Sequence, residues 1–116
     1  MQTVTRAIYV LFGVGAIAAG VAGLLSPGLV IPEVRESSLT AHLVREQSAG
    51  FVFIGVMFLW CWRHYELRRP VHFGLLLFTV IFAAIHWAGG YGNIRLLAVT
   101  TLPAVVLAGT TPWKGR

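Results

Sequence analysis

Between Gln47 and Trp62 the chain reads QSAGFVFIGVMFLWCW, a run without an ionised side chain, closed by Arg45 and Glu46 before it and by Arg63 and His64 after it. An apolar run closed by charges at both ends is the pattern of a helix crossing a hydrocarbon layer about 30 Å thick. Three more apolar runs follow the same rule, from about Ala7 to Leu25, Val71 to Ala88 and Ile94 to Thr110. Over the whole chain, 57% hydrophobic and 11% charged residues leave too little polar surface to cover a soluble domain of this size. The expected fold is all-α, a four-transmembrane-helix antiparallel bundle in a single integral membrane domain, 1–116. Its spans lie at about 7–25, 47–63, 71–88 and 94–110, with an outer loop at 26–46 and a cytoplasmic turn at 64–70.

Local signals sharpen these limits. The first run could also be read as a signal peptide, but its apolar stretch continues through Leu24 and Leu25, beyond the usual length of such a region. Gly13, Ala16, Gly20 and Gly23 recur at three- and four-residue spacing, so one face of this helix lets another backbone come close. Pro27, Gly28 and Pro32 break the helix and begin an ordered loop at the membrane surface. Ser37 or Ser38 is placed to cap a second helix that starts before the bilayer and runs straight into it. Pro70 suits the first turn of the third helix. Gly89, Gly90, Gly92 and Asn93 form a tight turn between the third and fourth spans. Pro103 predicts a kink in the last helix, relieved by packing or by Thr100 and Thr101.

Four crossings put Arg6, Arg63, Arg68, Arg69, Lys114 and Arg116 on one side, and Arg35, Arg45 and Arg95 on the other with Glu33, Glu36 and Glu46. The basic side is cytoplasmic by the positive-inside rule, which places both termini there. Trp60, Trp62, Tyr65 and Trp113 mark one interface, and Trp87 and Tyr91 the other. The net charge of +5 therefore belongs to membrane lipids and not to nucleic acid. His64 and His72 read as solvated histidines of the basic turn.

The same topology brings ionisable residues of three helices to one depth. Glu46 enters on the second helix with Arg45 beside it, His86 lies about a turn inside on the third, and Arg95 opens the fourth. Polar groups at membrane depth are costly and pair inside the bundle, so Glu46, His86, Arg95 and Arg45 form the expected polar cluster, structural or ligand-binding. His42 and Glu46 share a helical face, and with His86 they supply the two-histidine, one-carboxylate set of a zinc or non-haem iron site, although Arg45 opposes a cation there. No catalytic residue is fixed: Ser48 has no nucleophile elbow around it, and the chain has no phosphate-binding loop. Cys61 is the only cysteine, which argues against paired-cysteine redox chemistry.

The glycine-rich first span, the proline-containing outer loop, the Arg45–Glu46 pair opening the second span and the basic turn give the whole chain a layout that resembles the DoxX-like group of small bacterial membrane proteins. That resemblance implies a compact helical bundle in a bacterial inner membrane and, as in a few of those proteins, association with respiratory or redox complexes. The leading expectation is a non-catalytic accessory subunit or a module binding lipid or a small hydrophobic ligand. It would have no implied cofactor, and as partners membrane lipids, a second copy or a larger membrane complex. The alternative is a small membrane oxidoreductase, or a quinone- or metal-dependent enzyme, using the same cluster.

Overall fold

The computed structural model describes residues 1–31, 38–89 and 94–113, and among these every regular element is a helix. The outer-loop residues Pro32, Glu33, Arg35, Glu36 and Ser37, the turn residues Gly90, Tyr91, Gly92 and Asn93, and the terminal Lys114 and Arg116 lie outside the described residues. The rest falls into two compact units, Met1–Arg63 and His64–Arg116.

In the first unit α1 (Gln2–Leu25) packs against α3 (Leu39–Arg63). Between them Pro27 opens a single helical turn, α2 (Pro27–Val30), and is itself buried. Ser38 does cap α3: its hydroxyl accepts the Ala41 amide at 3.1 Å, satisfying one of the donors that a helix start leaves unpaired. At 25 residues α3 is about 37 Å long at 1.5 Å per residue, longer than a ~30 Å hydrocarbon layer requires.

The small residues of α1 are where α3 comes closest. Gly13, Gly20 and Gly23 are buried, while Ala16 is only half-buried. A Cβ on Gly13 would lie 2.8 Å from the Leu59 side chain, and one on Gly20 would lie 2.6 Å from the Ser48 carbonyl oxygen and 2.7 Å from Val52. From the other side, a Cβ on Gly55 would meet the Gly13 carbonyl at 2.7 Å. Ser48, Val52, Gly55 and Leu59 climb α3 as Gly23, Gly20 and Gly13 descend α1, so the two helices are antiparallel and nearly in backbone contact. Below this seam Phe58 meets Phe12 edge-on and Tyr9 at a tilt, with ring centroids 5.6 and 6.5 Å apart.

The second unit opens on a 3-10 turn, Tyr65–Leu67, and continues into α4 (Arg69–Gly89) and α5 (Ile94–Gly109). Pro70 sits in the first turn of α4 as the sequence requires. His72 meets Leu107 and Thr111 near one end of the α4–α5 pair, and the Trp87 indole donates to the Thr101 hydroxyl at 2.8 Å further along. Helix α5 runs unbroken through Pro103. The Thr100 and Thr101 hydroxyls bond the Leu96 and Leu97 carbonyls, not the Val99 carbonyl that a residue other than proline at 103 would engage, so neither supplies the expected relief.

Among the described residues three helices, α1, α3 and α4, are long and apolar enough to cross a membrane. Helix α5 is apolar but has 16 residues, about 24 Å, short of a ~30 Å layer.

Candidate functional site

At the start of α3, one helical turn separates His42 from Glu46, and the shared face foreseen from the spacing brings His42 Nε2 to 3.0 Å from Glu46 Oε1. Both side chains are about two-thirds exposed, at 66% and 63%. Arg45 turns away to the neighbouring helix, where its Nε donates to the Leu24 carbonyl at 3.3 Å. That carbonyl belongs to the last turn of α1, whose partial negative charge favours a guanidinium. Arg45 therefore ties the top of α3 to the end of α1.

One turn further along, Ser48 is 3% exposed and donates its hydroxyl to the Val44 carbonyl at 2.6 Å, with its side chain pressed against Gly23. This is the contact of a packing residue. Beside it Ala19, Val30, Val44, Gln47 and Phe51 border a cavity of about 60 Å³. Pockets for drug-sized ligands begin near ~300 Å³, so this one has room for a water or two or for the end of an acyl chain.

In the second unit His86 is half-buried, with its ring centroid 4.5 Å from that of Phe82 and its Nδ1 2.8 Å from the Phe82 carbonyl oxygen. A carbonyl only accepts, so Nδ1 carries the proton and, in the neutral ring, Nε2 carries the lone pair. Arg95 is exposed in the first turn of α5. Glu46, Arg45 and His42 thus belong to the first unit, His86 and Arg95 to the second. Among the described residues there is no group of three His, Cys, Asp or Glu side chains placed to hold a metal ion.

The sequence reading missed His72. It is not a solvated turn histidine: it is fully buried, with Nε2 3.0 Å from the Leu107 carbonyl and 3.2 Å from the Thr111 hydroxyl. Thr111 gives its own proton to the same carbonyl at 2.6 Å. Nε2 must therefore be the protonated nitrogen, shared between two acceptors. Leu107 lies two residues before the end of α5, where carbonyls lose their intrahelical partners, so His72 and Thr111 together close that end. The signal available in advance was the four-residue repeat of Leu75, Thr79 and Ala83, all buried, which extends back toward His72.

These helices define the class: a small all-helical chain with three helices of membrane-spanning length and apolarity, its polar side chains set at helix ends and along helix seams. Residues 4–91 match the model of a family described as a domain of unknown function, DUF4345. The chain belongs to that family, and the match carries no link to the DoxX-like proteins that its layout resembles. No curated protein and no solved structure matches the chain.

Proposed function

We propose that this chain is an integral membrane module that acts by contact, as an accessory subunit of a larger membrane assembly or as a lipid-binding protein, and not by turnover. The observation that carries the reading is the inversion of its surfaces. Many buried positions are small or polar, including Gly13, Gly20, Ser48, Gly55, His72, Thr79 and Thr100, beside large apolar ones such as Tyr9, Phe58, Leu75 and Leu107, while Leu11, Val14, Phe53, Leu77, Ile81 and Val99 are exposed. In water that arrangement would expose large apolar patches. In lipid it is what helix packing without a hydrophobic drive favours. The reading extends to four crossings, with α5 as the fourth, and to both termini in the cytoplasm of a bacterial cell, on the strength of the basic residues flanking those sides.

A second reading has one observation in its favour. With Nδ1 on the Phe82 carbonyl, the neutral form of the His86 ring would present an Nε2 lone pair, the form a base or a ligand needs. Purification in mild detergent, followed by an absorption spectrum, metal analysis and mass spectrometry of extracted ligands, separates the two. A colourless protein with lipid as its only extract, whose Glu46→Gln variant changes thermal stability alone, supports the contact module. A stoichiometric quinone, haem or metal that disappears in His86→Ala overturns it.

A further inference from the structure

We propose that Arg68 and Arg69, at the start of α4, bind the phosphate of an anionic phospholipid headgroup. The site rests on the membrane reading above, and all of its residues belong to the second unit. The Arg68 guanidinium carbon lies over the Tyr65 ring, 3.6 Å from its centroid, and the group donates one Nη1 proton to the Tyr65 carbonyl at 2.6 Å. Stacking and hydrogen bond together fix the plane of a planar, five-donor fork, the geometry that matches phosphate oxygens.

Most of that donor capacity is unused. The Nε of Arg68 is buried with no hydrogen-bond partner, and among the described residues neither Arg68 nor Arg69 has a carboxylate partner. Held in this position, the guanidinium keeps its Nη2 protons and the second Nη1 proton for an acceptor from outside. Arg69 is exposed, with its guanidinium 6.0 Å from the Phe73 ring, so a second cation stands next to the first. Both sit at the positive end of α4, whose first turn has no acidic residue to offset them. Intramolecular electrostatics alone disfavours this crowding of positive charge. An external anion resolves it.

Depth selects the anion. Phe73 meets Trp113 edge-on at 5.8 Å, and Trp113 is 67% exposed, the disposition of an indole at the lipid–water interface. The two arginines lie one helical turn before Phe73, at the level where headgroup phosphates lie. A phosphodiester there takes charge-assisted bonds from the arginines while its acyl chains run along the exposed apolar side of α4.

The test uses the full chain in lipid-free detergent, titrated with phosphatidylglycerol or phosphatidylcholine and read by native mass spectrometry and thermal unfolding. Phosphatidylglycerol is expected to bind roughly tenfold more tightly than phosphatidylcholine, with the discrimination lost in Arg68→Gln/Arg69→Gln. Arg69→Gln alone, at an exposed position, should reduce it severalfold, and it keeps the test decisive if the double variant does not fold. Equal binding of the two lipids, or discrimination unchanged in Arg69→Gln and the double variant, overturns the proposal. Inorganic phosphate alone giving the full thermal protection would overturn the lipid as the source and leave a free-phosphate site. Release of the chain from membranes by alkaline carbonate would overturn the membrane reading itself. Equal binding of the two lipids by an unaltered chain that resists carbonate overturns the headgroup site only.

Discussion

Gly20 of α1 and Ser48 of α3 are close enough that a single added methyl on the glycine would stand 2.6 Å from the serine carbonyl oxygen. The obstacle is backbone, with the Val52 amide nitrogen at 2.9 Å on the same side, and backbone cannot rotate out of the way. Packing without side chains is thus a fixed requirement at this level of the hairpin.

Gly20→Ala should therefore lower the thermal stability of the detergent-solubilised protein by about 1–3 kcal/mol, the usual cost of overpacking. Gly15→Ala on the same helix meets nothing within 4 Å and should be neutral or gain up to about 1 kcal/mol from helix propensity. Equal effects of the two substitutions would mean that the seam does not hold α1 to α3.

Cys61, the only cysteine, is fully buried in α3 and reports on the same hairpin. Its thiol should resist a membrane-permeant maleimide in the folded protein and react after denaturation. Gly20→Leu should make it react without denaturant. Fast labelling of the unaltered protein would contradict the packing of α3.

His72 and Thr111 converge on the Leu107 carbonyl, so their loss should be felt together. His72→Phe keeps an aromatic ring but removes the Nε2 donor, with an expected loss of about 1–3 kcal/mol and faster hydrogen exchange near residues 107–111. A double-mutant cycle with Thr111→Val should show coupling of at least about 0.5 kcal/mol. Strict additivity would show that the two groups act independently.

The His42–Glu46 pair is exposed and should count for little. Glu46→Gln is expected to cost no more than about 0.5 kcal/mol, the range of helical ion pairs of this spacing, and less at high salt. Arg45→Met, which removes the link to Leu24, should cost about 0.5–1.5 kcal/mol, a typical hydrogen-bond contribution. A larger loss for Glu46→Gln than for Arg45→Met would show that the carboxylate has a task beyond its own helix, as the contact of a ligand or partner would provide.

The helices were legible in the sequence because apolar length and capping are local properties. Ser38, Pro70 and the Gly13–Gly20–Gly23 face each follow from chemistry within one or two turns of chain. The partner of a side chain is not local. The four-residue spacing of His42 and Glu46 is enough to bring them together, whereas nothing near Arg45 in the sequence points to the Leu24 carbonyl, 21 residues away. The neighbours of His72 in the basic turn suggest a solvated ring, whereas its environment is set by Leu107 and Thr111, 35 and 39 residues away. Span four illustrates the same limit: apolarity identified the run, and the described helix is 16 residues long.

The α1–α3 seam also has a mechanical consequence. Helices joined by interdigitated long side chains can yield, because each chain can change rotamer and let its neighbour slide. Where Gly13, Gly20 and Gly55 bring backbone against backbone, that slack is missing, and a shift of one residue would drive Leu59 or Val52 into a main chain. Close backbone packing of this kind resists sliding of α1 along α3 more than interleaved long side chains would.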